Sequence, residues 1–145
     1  MKRQDVLLAA LALPDPPKAF EPVHVQKVMF LIDDRAQPVF DAGSRYQFEP
    51  YDYGPFDSSV YEDLDALARN NLVVIDRNPE HGYRRYAATE TGRARGLKML
   101  SQMNPKHRDV VRDSVNFVLP LSFRSLVTAI YRQYPEMKEK SVFKS

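Results

Sequence analysis

The side chains best suited to chemistry in this chain of 145 residues are three histidines, His24, His81 and His107, and the carboxylates Asp33, Asp34 and Asp52. A metal site would need histidines one helical turn apart or paired with cysteines. The three histidines lie far apart and there is no cysteine, which also removes disulfides and thiolate nucleophiles. The three aspartates could form a general acid–base pair if folding brought them together. At the end of a helix or in a turn, where these fall, carboxylates more often serve local structure. His24 reads as a surface group in the first turn of a helix rather than as a base. Neither a glycine-rich phosphate loop nor a Gly-x-Ser-x-Gly elbow occurs. The expectation is a chain that is not an enzyme, with no catalytic residue, metal or cofactor.

Side chains suited to contact are better grouped. In "YDYGPFDSSVYEDLDAL", Tyr51, Tyr53 and Phe56 surround a Gly-Pro pair just ahead of Glu62 and Asp65. Tyrosine is enriched in protein interfaces, so these five form one candidate surface for a protein partner. Filling the joint between a strand and a helix is the competing role for the three aromatics. A second set, Arg77, His81, Tyr83, Arg84 and Arg85, puts basic and aromatic groups on a predicted hairpin, with Arg93 and Arg95 following. These could hold phosphates or enter a minor groove of duplex DNA. Solvated arginines on an exposed hairpin are the plainer alternative.

The elements that must position these groups follow from pattern. Residues 4–13 form an apolar helix stopped by Pro14, Pro16 and Pro17. Pro22 opens a second helix, in which Val25, Val28, Met29 and Ile32 recur on one face, leaving His24 and Lys27 near the outside. "YQFEPYDY" reads as one short strand that Gly54-Pro55 turns. Ser59 and Glu62 have capping-box spacing, and Val60, Leu64 and Leu67 line the buried side of the helix they begin. Residues 72–88 form a β-hairpin. Thr89 opens a helix whose Gly92 and Gly96 each cost about 1 kcal/mol against alanine, so it must lean on tertiary contacts. A helix up to Pro120 follows. Ser122 then caps an amphipathic stretch with Phe123, Leu126, Val127, Ile130, Tyr131 and Tyr134 on one face, and a basic tail closes the chain.

This order predicts a single α+β domain over 1–145, mostly helical. It has a winged-helix-like core at about 4–100, a C-terminal helical extension at about 105–135, and a tail at 136–145. Hydrophobic content of 43% and charged content of 28% suit a soluble globular protein, and no apolar run is long enough to span a membrane. A cytoplasmic location is expected.

Two resemblances bear on function. The segment from Ser58 to Leu100 resembles a winged helix-turn-helix. Its Tyr86 strand leads into Thr89, Glu90 (or Thr91) and Gly92, as in small bacterial regulators. Over nearly the whole chain, "VQKVMFLID", "FEPYDYGPFDSSVYEDLDALARNNLV" and "IYRQYPEMKEKS" look like the bacterial YwgA-like proteins and, more distantly, Panacea-type antitoxin domains. The resemblance implies a regulatory or antitoxin-type module rather than an enzyme.

Charge separates protein from DNA as partner. Residues 57–72 hold four carboxylates (Asp57, Glu62, Asp63 and Asp65) against Arg69 alone, net −3, where a groove-reading helix would face a polyanion. With Val60, Leu64 and Leu67 buried, Ser58, Glu62, Asp65, Ala66 and Arg69 point outward and Asp57 and Asp63 flank them. The leading expectation is therefore a non-enzymatic module that contacts a protein, toxin-like or regulatory. The alternative is a DNA-binding regulator that uses the wing arginines. The apolar face of 122–134 adds a homodimer contact to these expectations.

Overall fold

A computed structural model describes residues 1–78, 80 and 82–143. The chain is α+β and mostly helical, with six α-helices and two small antiparallel hairpins among the described residues.

Helix α1 (Arg3–Ala12) has no polar face: Val6 through Ala12 are all buried. It lies across α4 (Glu90–Gln102) at a distance set by glycine. A Cβ on Gly96 would stand 2.7 Å from the Ala12 Cβ and 2.7 Å from the Leu8 carbonyl oxygen. A Cβ on Gly92 would stand 1.9 Å from the Leu72 carbonyl oxygen. Close approach thus offsets the low helix propensity of both glycines.

Helix α2 (Pro22–Arg35) begins with Pro22 at its first position, and the Glu21 N–H donates to His24 Nδ1 at 3.1 Å. Every residue from His24 to Ile32 is buried. The expectation that His24 and Lys27 face outward is therefore corrected. A hairpin over residues 49–56 and the helix α5 (Pro105–Val118) pack against α2, and α6 (Phe123–Gln133) reaches it through the hydrogen bond from Arg35 to Gln133, so the side that sequence periodicity assigns to water is covered.

The stretch expected as one strand is a hairpin, β1 (Glu49–Tyr51) and β2 (Gly54–Phe56), with Tyr51 opposite Gly54 and Pro50 opposite Pro55. The turn is Asp52-Tyr53, two residues earlier than Gly54-Pro55. Gly54 has a φ of +106°, which only glycine adopts readily. The residues flanking a two-residue loop exchange hydrogen bonds, so the next pair does not. Both prolines occupy that next pair, where neither removes a ladder bond.

Helix α3 (Ser59–Arg69) is capped by Asp57, whose Oδ1 accepts from the Ser59 N–H at 2.8 Å, not by a Ser59–Glu62 box. A second hairpin, β3 (Val73–Asp76) paired with β4 (Arg85–Ala88), has Ile75 opposite Tyr86. Tyr86 also exchanges backbone hydrogen bonds with Phe20, at 2.7 and 2.8 Å, which ties the hairpin to the connection before α2. Thr89 and Ser122 cap α4 and α6 through their side chains, as their sequence positions predict. On α6, Leu126, Val127, Ile130 and Tyr131 are buried in the chain's own core. The apolar stripe expected to serve a second copy is therefore largely covered within the chain.

A candidate binding groove between α2 and the first hairpin

The N-terminal turns of α2 and the first hairpin enclose an apolar cavity of about 460 Å³, half open to solvent. Pro22, Val23, Gln26 and Lys27 come from α2, Tyr51 to Gly54 and Phe56 from the first hairpin, Tyr61 from α3, Tyr83 from the segment just before β4 and Phe123 from α6. Eight large apolar or aromatic side chains are exposed among the described residues, and four of them, Tyr51, Tyr53, Tyr83 and Phe123, line this one cavity.

Ring contacts hold the walls. Tyr51 stacks on Phe56 with centroids 4.9 Å apart, Phe56 meets Tyr61 at 5.8 Å, and Tyr53 meets Phe123 edge-on at 5.0 Å. The tail braces the hairpin tip: Val142 N–H donates to the Asp52 carbonyl at 3.0 Å, and Phe143 packs against Phe123 and Tyr131. Such braces hold large flat side chains in place before anything binds, which lowers the entropic cost of contact.

Lys27 forms the floor, with 3% of its surface exposed. Its Nζ donates one long hydrogen bond, 3.4 Å, to the Pro55 carbonyl, which the non-bonded proline pair leaves free. Gly54 lies beside it: the position of its missing Cβ is in ordinary contact range of Lys27 Cε, at 3.5 Å, and of the Tyr131 ring, at 3.4 Å. Burial pulls the Lys27 amine down to a pKa of about 7. One residue earlier, Gln26 forms a paired amide contact with the Asp57 backbone, donating to its carbonyl and accepting from its N–H at 3.0 Å each. Asp57 is a hub, since its Oδ2 also accepts from the Gln47 N–H at 2.7 Å.

Burial likewise lowers the pKa of His24, although the Glu21 carboxylate opposes the shift. Its Nε2 faces that carboxylate at 3.7 Å and closes no hydrogen bond of good geometry among the described residues.

The structure thus brings Tyr51, Tyr53 and Phe56 together with Tyr83, which the sequence assigns to a different surface. Glu62 and Asp65 do not line the cavity: Glu62 is exposed on α3, and Asp65 faces Arg77 at 3.5 Å. Asp63, expected on the exposed flank, is buried. It accepts from Arg3 Nε at 2.9 Å, Tyr46 OH at 2.7 Å and Gln4 Nε2 at 3.2 Å. On the second hairpin, Arg85 lies over the Tyr83 ring at 5.7 Å and Arg84 reaches the Tyr86 phenol. His81 lies outside the described residues.

The aspartates considered for acid–base work are engaged separately. Asp33 takes a two-pronged contact from Arg45 at 2.9 Å on each oxygen, Asp34 accepts from Tyr134 OH at 2.7 Å, and Asp52 belongs to the hairpin turn. Among the described residues no cluster of three or more His, Asp or Glu has a metal-binding arrangement, and no helix is long and apolar enough to cross a membrane.

Sequence reasoning placed His24 and Lys27 near the outside of the helix and passed over Gln26, whereas all three are buried. The available signal was Pro22 at a helix start followed by a polar trio inside an otherwise apolar helix. Only the tertiary cover over that face gives the trio meaning. No family model matches the chain, and no curated protein matches its sequence.

Proposed function

We propose that this chain is a non-enzymatic regulatory or antitoxin-like module, built on a winged-helix-like core and working in the cytoplasm, that grips a segment of a partner protein in the aromatic groove. The observation that carries this reading is the convergence of four exposed aromatic residues, Tyr51, Tyr53, Tyr83 and Phe123, on one cavity. Contiguous exposed apolar surface of this kind marks interaction sites, and tyrosines supply large contact area at little entropic cost. The order of α3, wing and α4 supports the winged-helix comparison.

Duplex DNA is the less favoured partner. The wing arginines have internal contacts: Arg77 with Asp65, Arg85 with Tyr83 and Arg84 with Tyr86. Glu62 remains exposed on the helix that would enter a groove.

Affinity capture from the host with the wild-type chain and with Tyr53→Arg tests the reading. The expected result is at least one protein retained by the wild type and lost with the variant. Recovery of nucleic acid alone, or of the same proteins with both baits, would refute it.

A further inference from the structure

The floor of the groove differs from its walls. An ammonium has three hydrogens to donate, and Lys27 uses one, in a bond of 3.4 Å. Among the described residues no carboxylate comes within ion-pair distance of its Nζ, and burial alone accounts for the lowered basicity. A buried cation without a counter-charge is unfavourable by several kcal/mol, and structural lysines avoid that state by reaching for water. Here the stem runs inward instead, beneath aromatic walls. What completes such a site is an anion that arrives with an apolar body.

The walls define that body. Tyr51, Phe56 and Tyr61 offer ring faces and edges suited to a flat ring, and a volume of about 460 Å³ is ordinary for a small-molecule site. Among the described lining residues Lys27 is the one cation, while Glu21 and Asp52 also line the cavity and disfavour a second negative group. We propose that this groove binds an aromatic monocarboxylate, its ring between the tyrosines and its carboxylate on Lys27 Nζ. This goes beyond the protein-contact reading and does not depend on it.

Binding then takes up a proton. Among the described residues, the titratable and charged groups around Lys27 are Glu21 at the cap of α2 and His24 on it, Tyr51, Asp52 and Tyr53 on the first hairpin, Tyr61 on α3 with Arg84 near it, Tyr83 with Arg85, and Tyr131 on α6 with Lys138 over its ring. Burial keeps His24 mainly neutral at pH 6.5 and above. With the free amine titrating at about 7, the protonated fraction falls about 25-fold between pH 6.5 and pH 8.5, and the apparent affinity for a carboxylate falls with it.

Calorimetric titration of the purified chain with 3-phenylpropionate, and with 3-phenylpropionamide as its uncharged counterpart, decides the matter. At pH 6.5 the acid binds at least about tenfold more tightly than the amide, as expected for one charge-assisted contact. The acid weakens about 25-fold by pH 8.5 while the amide does not change. Lys27→Met reduces the acid to the affinity of the amide and removes the pH dependence, whereas Glu62→Gln, exposed on α3 and outside the cavity, preserves both. The proposal is overturned if acid and amide bind alike, if the acid gives no heat at millimolar concentration, or if the preference survives in Lys27→Met. The wild-type comparison needs no variant to fold, and its failure leaves partner capture untouched.

Discussion

Asp63 and Lys27 are both charged residues almost cut off from water, at 5% and 3% exposure, and their surroundings are opposite. Asp63 sits where α1, α3 and the segment before β1 meet, and its two oxygens are satisfied by Arg3, Tyr46 and Gln4 at 2.7 to 3.2 Å. Burial and the neighbouring carboxylate push the Tyr46 phenol far up, so it remains a donor at any ordinary pH. Lys27 has a single long bond to a carbonyl. A buried charge that is fully paired fixes how elements meet, whereas one left mostly unpaired lowers stability and holds binding capacity in reserve. The first pins the fold, and the second marks the site.

The largest effect expected from this contrast is on Asp63. Asp63→Ala leaves Arg3 and Tyr46 without their acceptor and lowers the unfolding free energy by about 4 kcal/mol, read from the midpoint of urea denaturation. Lys27→Met acts in the other direction, raising stability by about 3 kcal/mol at pH 7, since an apolar side chain of similar volume replaces an uncompensated charge. A loss of stability in that variant would mean that the amine is better satisfied than its geometry indicates.

The pH dependence follows the same logic with a definite sign. The folded chain holds the Lys27 proton only up to about pH 7, and the unfolded chain holds it up to about 10.5. Between these values unfolding takes up a proton, so stability rises with pH and the penalty is fully present below 7. The advantage of Lys27→Met over the wild type therefore shrinks by about 2 kcal/mol between pH 7 and pH 9, measured by paired denaturation curves. An advantage that stays constant would dissociate the lysine from the trend. The smallest effect belongs to Tyr46→Phe, which takes one of several donors from Asp63 and costs about 1 kcal/mol.

What the sequence reveals follows the range of the interactions. Thr89 and Ser122 are legible as caps because a cap depends on three or four neighbouring residues, and the second hairpin is legible from the turn-rich sequence between its strands. The tolerance of α4 for Gly92 and Gly96 is legible as dependence on other elements, though not which ones: Leu72 and Leu8 lie far off in sequence. The first hairpin is hidden because its strands have three residues each and its turn bears no glycine pair. Half of the candidate site, Tyr51, Tyr53 and Phe56, is visible as an aromatic cluster. The other half is not, because Lys27 and Gln26 fall on a helix face whose cover comes from three separate elements.

The double amide link from Gln26 to Asp57 joins neighbours of very different kinds. On one side is the residue adjoining the groove floor, and on the other the backbone of the residue whose carboxylate starts α3 and steadies Gln47. An occupant that pushes the floor aside must either break two hydrogen bonds at once or carry the first turn of α3 along with it. Occupancy would then be legible at a distance, as a shift in the amide resonances of Ser59 and Gln47, before any contact reaches them.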